Sequence, residues 1–220
     1  MAYELDFSNL SLAFLQKRLH EEDLIPSQLP LTKDLDMNMA QLSTCGIHSL
    51  EELFNRLQTP KRLQLLAEES GIPKDYLSLL LRVLKGYRPK PQSLALITEY
   101  AGKLKAVGLR SSKDLWRAAH LKKDRVSLAQ QLGFDEETLS MLASLCDLCR
   151  LQWVSALFAR LILQAGYLSV GAVAQASKEE LVRGVAEANK TLTLFKGKIG
   201  ERDMGRLIYV ATLMNDELEL

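Results

Sequence analysis

The chain of 220 residues is 47% hydrophobic and 25% charged with a net charge of +1, a globular composition that argues against a dedicated nucleic-acid binder and suffices for one large core or two small ones. It has no apolar run of about 18 residues, an N-terminus ("MAYELDFSNLSLAFLQKRLHEED") too acidic and interrupted for a secretory leader, and three unevenly spaced cysteines, so a membrane span and a disulfide framework are excluded and a reduced, cytoplasmic protein is expected. The charge is uneven: residues 1–81 hold 7 basic against 12 acidic side chains, residues 82–125 hold 12 against 3, and residues 126–220 hold 9 against 12.

Along the chain, apolar residues recur at helical spacing, and no segment sustains the period of two that a half-buried strand requires. An all-α fold is therefore expected. Helices are predicted over 8–23, 33–45, 49–58, 60–70, 73–86, 92–107, 111–120, 122–132, 135–149, 153–165, 169–175, 177–188 and 201–217. Residues 24–32 and 87–91 ("YRPKP") read as linkers, which gives two helical units, 1–87 and 88–220.

"STCGIHSLEELF" at 43–54 returns as "KAVGLRSSKDLW" at 105–116. Without a gap, Gly46 matches Gly108, Ser49 matches Ser111, Phe54 matches Trp116, Gly71 matches Gly133, and Leu77, Ser78 and Leu80 match Leu139, Ser140 and Leu142. An internal duplication follows. Each glycine suits the left-handed residue that ends a helix, and the apolar residue after it can fold back on the last turn. Ser49 with Glu52 and Ser111 with Asp114 are capping boxes that start the next helix. A partial third copy, "LILQAGYLSVGAVAQAS", places Gly166, Tyr167 and Ser169 in the roles of Gly46, Ile47 and Ser49, and Ser177 with Glu180 reads as a further box.

Short helices joined at Gly-apolar-x-Ser turns resemble helix-hairpin-helix modules. Over 103–215, "GLRSSKDLWRAAHLKKDRVSLAQQLGFDEETLSMLASLCDLCRL" followed by "ARLILQAGYLSVGAVAQASKEELVRGVAEANK" is similar to the family catalogued as domain of unknown function 4332. The resemblance implies an all-helical, helix-hairpin-helix-like and SAM-like fold, and no activity. DNA-binding hairpins hold a phosphate on backbone N–H groups at a Gly-apolar-Gly turn. Here those glycine positions fall on Trp153 and Ser155 in the third copy and on Ala95 and Ile97 in the second.

"CDLC" at 146–149 lies late in a predicted helix, where Cys146 corresponds to Leu84 and shares a stripe with Leu139, Leu142 and Cys149, so core packing outweighs a metal or redox reading. Trp116 reads as a core aromatic. Trp153, at a turn, is expected to be buried, with partner anchoring as the alternative. His48 and His120 read as polar surface positions, "GKIGERD" at 197–203 as a loop, and no catalytic, cofactor or metal constellation is present. The expectation is a non-catalytic binding module with a protein partner, contacted near Trp153 and Tyr167. The alternative is weak, sequence-independent nucleic-acid binding through Arg88, Lys90, Lys103, Lys105, Arg110, Lys122, Lys123 and Arg125, unless that basic stripe meets the chain's own acidic flanks.

Overall fold

A computed structural model describes residues 3–21, 24–214 and 217–220, and among them it is all-α, with two isolated antiparallel bridges and no strand. The chain divides into two compact units, one of residues 5–87 and one of residues 88–220 joined by residues 1–4.

The unit of residues 5–87 contains α1 (Leu12–Glu21), α2 (Leu35–Thr44), α3 (Leu50–Leu57), α4 (Pro60–Ser70) and α5 (Lys74–Tyr87), with 3₁₀ turns at Phe7–Asn9 and Pro26–Thr32. Leu15, Leu42, Leu53, Leu66, Leu77 and Leu84 are among its fully buried leucines, and Phe7 meets Phe54 edge-on at 5.7 Å. The expected linker 24–32 is largely this second 3₁₀ helix. Pro26 and Pro30 lack N–H groups and so cannot sustain an α-helical ladder, and the Tyr76 hydroxyl fixes the segment by donating to the Leu31 carbonyl at 3.0 Å. The expected helix at 8–23 begins only at Leu12, because the Ser11 hydroxyl accepts from the Phe14 N–H at 3.1 Å. Its last two positions, 22 and 23, lie outside the described residues, as do 215 and 216 of the last expected helix.

The larger unit contains α6 (Leu94–Ile97), α7 (Ala101–Ala106), α8 (Ser112–Ala119), α9 (Lys122–Leu132), α10 (Glu136–Leu148), α11 (Ala156–Gln164), α12 (Val170–Ala174), α13 (Lys178–Leu192) and α14 (Glu201–Leu213). Every residue of α10 from Leu142 to Leu148 is buried, as befits a helix packed against α6, α8, α9 and α11. The single helix expected at 92–107 is two. Thr98 adopts an extended backbone and its hydroxyl accepts from the Tyr100 N–H at 3.2 Å, a local bond that competes with the helical ladder.

The bounds of α3 and α8, and of α4 and α9, lie sixty-two residues apart at both ends. Ser49 and Ser111 each close a full capping box. Ser177 caps α13, but the Glu180 carboxylate accepts from the Ser177 hydroxyl. The helix stop recurs three times. Gly46, Gly108 and Gly166 have φ of 75°, 88° and 94°, and the residue after each (Ile47, Leu109, Tyr167) donates its N–H to the carbonyl five residues back, on Leu42, Leu104 and Ile162. That bond satisfies a helix-end carbonyl, and glycine reaches the required backbone without a Cβ penalty.

Candidate functional site

The heart of the larger unit is polar as well as apolar. Asp147, on α10, is fully buried: its Oδ1 accepts from the Trp116 indole N–H at 2.9 Å and from Arg150 Nη1 at 2.5 Å, and its Oδ2 accepts from the Val170 N–H at 2.7 Å. One carboxylate thereby ties α8, the end of α10 and the first residue of α12. The Arg150 guanidinium lies 4.4 Å from the Trp116 ring and donates through Nε to the Tyr3 carbonyl at 3.1 Å. Tyr3 packs edge-on to Trp116 at 5.6 Å, and its hydroxyl shares a 2.7 Å hydrogen bond with Ser112. His120, expected at the surface, is instead 7% exposed and stacked on Trp116 at 4.7 Å, because α8 turns it onto the same aromatic. His48 is exposed as expected.

Cys146 and Cys149 flank this cluster, both buried and both free thiols. Burial, then the nearby Asp147 carboxylate, pushes the Cys149 thiol up to about 12, and burial pushes Cys146 well above the ordinary thiol range. Thiolate is the reactive form. In native protein only the half-buried Cys45 is therefore expected to react with a disulfide reagent at neutral pH, with Cys146 and Cys149 joining after denaturation. Rapid native labelling of either would contradict the packing role.

The basic stripe is partly consumed within the unit. Arg125 is 5% exposed and donates to the carbonyls of Ala119 and His120, each at 3.0 Å, and to that of Glu219. It is a core strut and not a phosphate contact. Lys113 pairs with Glu4 at 2.7 Å, and the Lys122 N–H donates to the Glu219 carboxylate at 2.7 Å. Lys90, Lys103, Lys105, Arg110, Lys122 and Lys123 present exposed side chains, Lys103 lying 5.2 Å from the Phe134 ring, and Arg88 is half-buried. At the positions where a phosphate turn needs glycine, Ala95 and Ile97 lie inside the four-residue α6. Ser155 caps α11 with its own hydroxyl, which accepts from the Phe158 N–H at 3.2 Å.

Trp153 reverses the expectation of burial. It is 52% exposed and takes a left-handed backbone, φ 63°, in a turn closed by the Val154 N–H donating to the Leu151 carbonyl at 3.2 Å. A bulky side chain there is a strained outlier, of the kind concentrated at functional sites. The Arg206 guanidinium lies 5.9 Å from its ring. Trp153 walls a pocket of about 250 Å³ with Gln152, Phe158, Phe195, Met204 and Leu207. Tyr167 is half-buried and not part of that pocket.

The far wall is built by residues that sequence reading passed over. The Asn189 side chain grips the Phe195 backbone twice, donating to its carbonyl at 2.8 Å and accepting from its N–H at 2.9 Å. Phe195 meets Phe158 edge-on at 5.3 Å, and a Cβ on Gly197 would come within 2.6 Å of the Phe195 ring, so only glycine leaves that ring its place. The "EAN" triplet carried the signal, as an asparagine at the end of a helix is suited to capture a returning backbone.

Among the described residues no group of three or more histidine, cysteine or carboxylate side chains could hold a metal, and no helix is long and apolar enough to cross a membrane. A family model described as a domain of unknown function (DUF4332) matches residues 95–213. No curated protein and no solved structure matches the chain.

Proposed function

The chain belongs to the DUF4332 family, and on that premise we propose that it is a non-catalytic, helix-hairpin-helix-like module of duplicated short-helix units that works by binding another protein. The observation that supports this reading is Trp153, a large aromatic held half in solvent on a backbone that favours glycine. It stands beside an apolar pocket, and exposed aromatics in that setting commonly carry binding energy. A second reading, nucleic-acid binding, draws on the exposed Lys103, Lys105, Arg110, Lys122 and Lys123. It lacks glycine phosphate turns, so contacts would be side-chain only, weak and steeply salt-dependent.

Affinity capture from the native cell, with and without nuclease, separates the two. The protein reading expects a nuclease-resistant partner whose capture, repeated with purified components, is lost in Trp153→Gly. That variant fits the left-handed backbone without strain and should leave the thermal midpoint unchanged or raised. Retained binding by Trp153→Gly overturns the assignment of this face, and nuclease-sensitive capture shifts the function to the basic stripe.

A further inference from the structure

Beyond partner binding, we propose that a second pocket of the larger unit, set between α6, α10 and α11, binds a free α-amino acid with an aliphatic side chain. The lining sets the first half of that chemistry. Ile97, Leu142 and Leu145 are buried in it, and Met141, Leu163 and Leu192 complete its apolar part with accessible side chains. All six are aliphatic. The one aromatic in the lining, Tyr100, is engaged by Phe134 at 5.0 Å, outside the pocket, and a branched hydrocarbon suits these walls better than a stacked ring. The volume is about 430 Å³, within the range of small-molecule sites.

Two charges set the second half. Arg160, on α11, lines the pocket half-buried, and its Nη2 donates to the Ile97 carbonyl at 2.8 Å. Its Nε and Nη1 make no hydrogen bond among the described residues, and neither is sealed from solvent, so a ligand in the pocket can reach them. Glu99, exposed, lines the same pocket, and its carboxylate makes no hydrogen bond or ion pair among the described residues. The two charges stand too far apart to pair with each other, and each is left for a ligand. A guanidinium fork selects a carboxylate, and a carboxylate selects an ammonium. A fatty acid would set a like charge beside Glu99, and an aliphatic amine would set one beside Arg160, so either half alone is disfavoured. An ammonium and a carboxylate on one carbon, next to an aliphatic chain, satisfy both charges and the walls together. The site shares no residue with the Trp153 pocket and needs no protein partner, so it stands or falls separately from the reading above.

The test is calorimetric titration of the full chain with L-leucine, with isocaproate (the same chain without the ammonium) and with isoamylamine (the same chain without the carboxylate). L-leucine should bind about tenfold more tightly than either, the worth of one charge-assisted contact. Glu99→Gln should abolish the preference over isocaproate and keep the preference over isoamylamine. Arg160→Met should do the reverse. Glu99 is exposed and bonded to nothing, so its variant decides the matter should Arg160→Met fail to fold. L-serine, which carries the same head without the apolar chain, should bind about tenfold more weakly than L-leucine. Equal binding of L-serine overturns the aliphatic assignment. Equal affinity for L-leucine and either truncated analogue in the wild type, or no binding of L-leucine at millimolar concentration, overturns the proposal.

Discussion

Asp147→Ala is expected to cost the larger unit about 3–5 kcal/mol, enough to abolish its folding if that unit has ordinary stability. The substitution strips the carboxylate from Arg150, whose side chain is 1% exposed, and removes the acceptor for the Trp116 indole and the Val170 N–H. Breaking one half of a buried pair is far costlier than replacing both halves, because a desolvated charge is left behind. Asp147→Leu combined with Arg150→Met should therefore be milder than Asp147→Ala alone. Urea denaturation followed by Trp116 fluorescence in a Trp153→Phe background reads this unit directly. A loss below about 1 kcal/mol would show that the cluster is not the electrostatic centre of the fold.

The second large effect lies at the other end of the sequence. Tyr3→Ala should remove about 3–5 kcal/mol from the same unit, since it empties a site where the ring is 2% exposed and packed on Trp116. Tyr3→Phe should lose only about 1 kcal/mol, because Ser112 Oγ still accepts from the Gln92 N–H at 2.9 Å. Hydrogen exchange is the discriminating measurement. Protection should fall throughout residues 88–220 and stay unchanged within 5–87. A uniform loss across both would mean that Tyr3 supports the whole chain and not the one unit.

What the sequence disclosed was local. Glycine stops, serine caps and leucine stripes involve partners within five residues, so Gly46, Ser49, Gly108 and Ser111 could be assigned by inspection and fell at helix ends. The burial of Cys146 followed from its match to Leu84, a correspondence of position that needs no long-range knowledge. What stayed hidden was polar and distant. Nothing near Arg125 announces that its guanidinium meets the carbonyl of Glu219, ninety-four residues on, whereas the stack of His120 on Trp116, four residues back, was local and overlooked. Burial of a charged group depends on a partner supplied from elsewhere in the chain, and spacing alone does not disclose that partner. Trp153 is the mixed case. Its place in a turn was legible, yet tryptophan's apolar bulk suggested an interior that the turn does not offer. The pocket was missed because its far wall depends on Asn189 and Gly197, whose significance appears only once Phe195 is folded back between them.

The placement of residues 1–4 with residues 88–220 bears on the order in which the protein is made. Residues 5–87 are contiguous and carry their own core, so they can form as soon as they leave the ribosome, while everything after them is still being synthesised. Tyr3 emerges before any of them but must wait. Its carbonyl accepts from Arg150, 147 residues later, and its ring has no socket until Trp116 has been translated. Tyr3 thus leaves the ribosome before residues 5–87 and is covered only after Trp116 and Arg150 have followed, so the larger unit closes over a residue made long before the rest of it.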